Sequence, residues 1–369
     1  MTTIHDRRVW LRAIVVLVLA AAAITVFSVL VADSAQAADV ATHAVAADAG
    51  TDDVTTTDAT TTTGGSGRVL QAVVNGLIFG SLLALASVGL SLIYGTTGLS
   101  NFAHGEQVSF GAVLTYFLVA DDVSLPLIPG TFGIGIPLIP AALLAVAISA
   151  GTGWLQDKFL WSPLRRRRVG IVQQMIVSIG LSLAMLNMLQ WWMGGGRMRL
   201  TTSIADRLQI GPVQISTQTL WSVLIAILCL LGVSYFLLRT RLGRATRAVS
   251  DNPALASASG IKVESIIRLV WILAAGLAGL GGILLGLYEQ GTAFDAGARL
   301  LLLMFAAVTL GGLGQPFGAL VGSLVIGLVA ELSTLWLPAD LKVATALVIL
   351  IGVLLVRPQG ILGRAERVG

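Results

Sequence analysis

Charge is what this sequence has least of. Asp, Glu, Lys and Arg together make up 11% of its 369 residues, against about a quarter in an ordinary soluble domain. So little polar material cannot cover a globule in water, and a soluble fold is excluded. Cysteine is nearly absent. Cys229 is the single one, so no intrachain disulfide can form. Histidine occurs three times, at positions 5, 43 and 104, and only His104 lies near a long apolar stretch. That is too little for an intramembrane hydrolase built on histidine or paired acids, and neither a metal nor a cofactor is expected. No Gly-x-x-x-x-Gly-Lys-[Ser/Thr] occurs anywhere, so the chain has no loop to cradle ATP phosphates and is not expected to be an enzyme. No acid stands at the centre of an apolar run, where an ion-coupled secondary transporter would need one.

Apolar residues, by contrast, make up 56% of the chain, with a mean hydropathy of +0.88. They cluster. Val69–Ile93, Gly170–Met193, Gln218–Leu238, Leu269–Tyr288 and Leu300–Ala330 contain no Asp, Glu, Lys, Arg or His. About 20 such residues in a helix cross a bilayer core, and only a backbone that satisfies its own hydrogen bonds can do so. The sequence therefore predicts an all-α, polytopic membrane bundle of about eight or nine transmembrane helices in the plasma (inner) membrane. The net charge of +4 does not signal nucleic-acid binding, because the basic residues sit in short clusters between apolar spans, where they set orientation.

The first 67 residues differ from the rest. Arg7, Arg8 and Arg12 precede an apolar run from Ala13 to Ala32, followed by Ala35-Gln36-Ala37. This order reads as a signal peptide over 1–37 cleaved after Ala37, with an uncleaved anchor as the alternative. Residues 38–67, rich in Ala, Thr, Asp and Gly, have almost nothing to bury and are expected to be disordered outside the membrane. Residues 68–369 form the membrane domain. The basic clusters Lys158–Arg168, Arg239–Arg247 and the C-terminal tail are expected on the cytoplasmic side. That places the tail inside if Leu300–Thr334 crosses twice, giving nine crossings, and outside if half of it is re-entrant, giving eight.

Three segments stand out chemically. Within the polar loop 239–268, Asn252 suits a helix N-cap, Pro253 the first helical position and Gly260 a left-handed C-terminal cap. The loop thus predicts a two-turn helix carrying Ala254, Ala256 and Ala258, too short to be stable alone and small enough in profile to approach a partner closely. Asn101, His104 and Glu106 introduce the second apolar helix. They could line a translocation path or form a structural network, and counting residues places them near the cytoplasmic edge, which favours the network. Gly311, Gly312, Gly314 and Pro316 predict a helix break. Gly282-x-x-x-Gly286 and Gly318-x-x-x-Gly322 have the spacing that lets membrane helices approach closely. Glu289 and Glu331 are expected to snorkel from helix ends to water.

Three stretches carry a resemblance. Tyr94–Glu106 (Tyr-Gly-Thr-Thr-Gly-Leu-Ser-Asn-Phe-Ala-His-Gly-Glu), the glycine segment Leu310–Gly322, and Arg357-Pro358-Gln359-Gly360-Ile361-Leu362-Gly363 resemble the permease family of branched-chain amino acid ABC importers, which also includes urea and short-chain amide permeases. The loop at Asn252–Gly260 looks like the coupling segment of such permeases. The similarity covers about Val69 to Arg364. It implies a transport subunit working with a second permease subunit, homologous or identical, two cytoplasmic ATPases and an extracytoplasmic solute-binding protein. The long N-terminus departs from the family's usual short one and leaves the substrate open among branched-chain amino acids, urea and amides.

N-terminal sequencing of the purified protein is expected to begin near Ala38. A sequence starting at Met1 or Thr2 would sink the cleaved signal.

Overall fold

The computed structural model describes residues 65–120, 123–124, 131–132, 134–200, 207–338, 341–356 and 360–363. The expected signal segment, the Thr-rich residues up to 64, Asp121, Asp122, Pro126 and the arginines at 357, 364 and 367 lie outside them.

The bundle is built on α1, Gly65–Thr97, and α9, Val263–Tyr288. α1 is about 50 Å long at 1.5 Å per residue and absorbs Gly65, Ser66 and Gly67, the end of the expected disordered segment. Around this pair stand α2 (His104–Val119), α3 (Leu138–Gln156), α5 (Ile171–Met193), α6 (Thr217–Arg239), α10 (Ala296–Gly311), α11 (Pro316–Ser333) and α12 (Lys342–Val356). α3 runs on through a π-helical turn, Asp157–Trp161, into the short α4, Ser162–Arg166. Among the described residues, six helices are long and apolar enough to cross a membrane: α1, α3 with α4, α5, α6, α9 and α11. Two shorter apolar ones, α10 and α12, accompany them. The fold is a polytopic helical membrane bundle. Among the described residues, strand is confined to two antiparallel pairs, Val123–Ser124 with Thr131–Phe132 and Arg207–Ile210 with Val213–Ser216.

The outward faces of the helices are apolar, unlike those of a soluble protein. α5 presents Val172, Ile176, Leu183 and Trp191 outward, and α6 presents Trp221, Leu228 and Leu231. The interior holds Ser87, Ser91, Asn101, His104, Glu106 and Gln107. In lipid there is no hydrophobic drive between helices, so packing depends on close contact and interior polar bonds.

Glycine supplies the close contact. Gly80 of α1 lies against the Ser323–Leu324 backbone of α11, and Gly89 against Ala274 of α9. Gly111 of α2 meets Gly279 of α9, and a Cβ on Gly282 would overlap the Val108 carbonyl. Gly318 and Gly322 face Gly311 and Ala307, so this small-x-x-x-small pair, like Gly282, sits where helices touch. The break at 311–316 is a tight turn: Gly312 has φ +109° and Gly314 φ +73°, and Pro316 opens α11.

One expectation needs correcting. Glu331 does not snorkel to water. It is buried and paired with Lys342 of α12, whose ammonium lies 4.2 Å from the Phe79 ring centre. Glu289 lies 3.8 Å from Arg197.

Gly282→Ala is expected to destabilise the fold by about 1–3 kcal/mol through overpacking, read as a lower unfolding midpoint in detergent. Gly180→Ala, which meets nothing within 4 Å, is expected to leave the midpoint unchanged.

Candidate functional site: a buried polar crossing and a capped surface helix

Past Thr97 the chain turns at Gly98, φ +70°, and residues 99–103 lead into α2. Asn101 starts that helix: its Oδ1 accepts the Ala103 N–H at 3.1 Å and its carbonyl accepts the His104 N–H at 3.3 Å. His104 then reaches α1. Its Nε2 stands 2.9 Å from the Ala86 carbonyl, and because a carbonyl only accepts, Nε2 carries the proton. Ala86 precedes the end of α1 by about eleven residues, or about 16 Å of helix rise. His104 is therefore about three helical turns inward from the end of α1 and without exposed surface. Residue counting missed this because it assumed that residues 98–103 lead out of the bundle. They fold back alongside it instead.

Glu106 and Gln107 continue the polar crossing. Ser182 of α5 donates to Glu106 Oε1 at 3.4 Å, while Glu106 Oε2 has no hydrogen-bond partner among the described residues. Gln107 donates to Gln156 Oε1 at 2.8 Å, and the Phe102 N–H donates to Ser178 Oγ at 3.2 Å. α10 also begins inside, with Gly297 against Gly105 and its N–H bonded to Ser109 Oγ at 2.7 Å. Two helix N-termini thus meet in the interior, and the orphan donor of one is satisfied by a serine of the other. Asn101, His104 and Glu106 are all buried at the start of α2. Ser109, Ser178 and Ser182 had no signal in the sequence, since serines inside apolar helices are common.

At the Thr97 end of α1, the loop 239–268 is largely helical. α7, Arg241–Asp251, is capped by Thr240, which accepts the Gly243 N–H at 2.9 Å. α8, Pro253–Ala258, follows. Asn252 Oδ1 accepts the Leu255 N–H at 3.0 Å. Gly260, φ +83°, ends the helix as the Ile261 N–H bonds the Ala256 carbonyl at 3.0 Å. Arg268 is not in the loop, because α9 begins at Val263. Ala254 and Ala258 are exposed, but Ala256 is only 4% exposed and packs inward. The outward apolar group is Leu255, 65% exposed, which reading the helix for its small residues passed over.

The motif stretches converge here. Gly95 packs against Ser250 of α7 and Gly314. Ile361 N–H and Leu362 N–H bond the carbonyls of Leu310 and Gly311 at 2.6 and 3.0 Å. A cavity of about 370 Å³ between them is lined by Thr96, Arg244, Arg247, Asp251 and Gln315 among others.

The family described as branched-chain amino acid transport system / permease component matches residues 72–356. The chain belongs to this family. It is 30% identical over 307 residues to the high-affinity branched-chain amino acid transport system permease protein LivH of Escherichia coli (strain K12), covering 80% of this chain and 96% of that protein. Identity to BraD, a permease protein of the same description from Pseudomonas aeruginosa, is 30% over 306 residues, with the same coverage. The probable branched-chain amino acid transport permease protein LivH of Methanocaldococcus jannaschii is 31% identical over 303 residues, 78% of this chain and 90% of that one. The matched region contains α8 and the polar crossing at 101–107, and family members are transport permease subunits.

Asn252→Ala removes the cap of α8 and should cost about 1 kcal/mol. Hydrogen exchange over residues 253–259 is then expected to rise about fivefold, with α1 and α9 unchanged.

Proposed function

We propose that this chain is the membrane-spanning permease subunit of an ATP-driven importer that carries branched-chain amino acids delivered by an extracytoplasmic binding protein. The observation that carries the reading is the family match across nearly the whole helical unit. The chain lacks a phosphate loop, so ATP is hydrolysed by separate subunits, and the transporter pairs this permease with a second one and with two ATPases. The end bearing α7 and α8 is cytoplasmic, which agrees with exposed Arg166, Arg167, Arg241, Arg244 and Arg247. The N-terminal segment is then outside and the C-terminus inside.

On this reading α8 docks to the ATPase. Short, capped at both ends and apolar on its outward face at Leu255, it has what a helix seated in a groove requires. ATP-driven closure displaces α8, and through α7 and α9 the helices that hold the polar crossing. Asn101, His104 and Glu106 lie where the solute passes between outward- and inward-open states. Their burial supports a closed state there, and the incompletely bonded Glu106 supports a role beyond packing, since a buried carboxylate is expensive at membrane depth.

Reconstituted with its ATPases and binding protein, the permease is expected to drive uptake of leucine and not of urea or acetamide. Leu255→Glu puts an unpaired charge into the docking groove and should weaken ATPase binding by about 3–5 kcal/mol. Co-purification of the ATPase with this variant at the unmutated level would overturn the docking role of α8.

A further inference from the structure

Asp157 is a fully buried carboxylate outside the polar crossing. It opens the π-helical turn between α3 and α4, a local irregularity that helices retain most often at functional positions. Arg165 Nη2 donates to its Oδ1 at 2.6 Å, and Arg268 Nε donates to its Oδ2 at 3.2 Å. The same Arg165 Nη2 reaches Glu264 at 2.9 Å. Two cations and two carboxylates therefore close a neutral set, with Asp157 and Arg165 from the α3–α4 segment and Glu264 and Arg268 from the first turns of α9. Beside it Trp161 and Trp271 stack with ring centres 5.2 Å apart and planes 14° from parallel, both without exposed surface.

Stability alone does not account for this choice. A well-packed apolar contact generally does as well as a buried ion pair or better, and what the ionic contact adds in the best-attested cases is a fixed register. The register fixed here is that of α3 on α9. α3 exposes Ile139, Leu143 and Leu155 and depends on α9 and α2 for its packing, with Gly153 seated on the Trp271 carbonyl. α9 begins at Val263, three positions after the Gly260 cap of α8. The linker Ile261-Lys262 spans at most about 7 Å, too short to absorb a displacement of α8.

We infer that Asp157 is a positioning residue for energy coupling: its clamp on Arg165 and Arg268 makes α3 follow α9, so that movement of α8 reaches α3 as well. This rests on the reading of α8 as the ATPase-docking helix. The test uses the complete transporter in proteoliposomes, with ATPase content, ATP hydrolysis and leucine uptake measured on one preparation. Asp157→Asn is expected to keep its ATPase and hydrolyse ATP, while uptake per ATP falls about tenfold. Asp157→Glu, which preserves the charge, is expected to recover much of that ratio. Arg268→Gln, altering a partly exposed side chain, guards against a misfolded Asp157 variant and should lower the ratio about threefold. Uptake and hydrolysis falling in parallel, or an unchanged ratio in both variants, would overturn the clamp. Failure of α8 docking is separately visible, as retained ATPase in Leu255→Glu.

Discussion

The close approach of helix backbones at glycine and alanine is the constraint on which the rest of this structure depends. A bilayer supplies no hydrophobic force between helices, so they are held by contact and by interior polar bonds. Contact of this quality requires that side chains be missing where axes cross. Gly80, Gly89, Gly111, Gly279 and Gly282 sit at such points. Because the axes approach so closely around α1 and α9, carbonyls and short side chains of neighbouring helices come within bonding range. The His104–Ala86 bond and the Ser109–Gly297 bond are consequences of that geometry.

The second consequence is that two helices can start inside the membrane domain. A helix N-terminus leaves donors unpaired, which lipid would not tolerate. Here the Ala103 and His104 N–H groups at the start of α2 are met by Asn101, and the Gly297 N–H of α10 by Ser109. Irregular backbone at this depth is acceptable where it is enclosed by protein, and α1, α5 and α9 enclose it. The polar crossing is thus placed by the same interruptions that shorten α2 and α10 to 16 residues each.

The surface helix α8 and the polar crossing are connected through α7 and α9. α7 packs on the end of α1 through Ser250 and Gly95, while α9 starts where α8 ends and continues to the contact of Ala274 with Gly89, beside His104. A rigid helix carries a displacement along its length, because its packed interior has discrete arrangements rather than a continuous range.

The sequence by itself determined the class of fold, most helix boundaries to within a few residues, the capped helix after Asn252, the break at Gly311–Pro316 and the family. Each of these is local: a run of about 20 apolar residues, a cap residue at a fixed offset or a glycine at positive φ is specified by near neighbours along the chain. What tertiary structure alone decided is long-range. Asp157 bonds Arg268 across 111 positions, and Phe102 bonds Ser178 across 76. Nothing in the spacing of these residues marks them as partners, since in sequence Arg165 belongs to a basic cluster that sets orientation and Arg268 merely closes a polar loop. The depth of His104 was hidden for the same reason, because residues 98–103 could lead out of the bundle or fold back along it with equal local propensity. Which face of α8 looks outward was also undecided, because on a two-turn helix the choice between Leu255 and Ala256 is made by the helices it packs against.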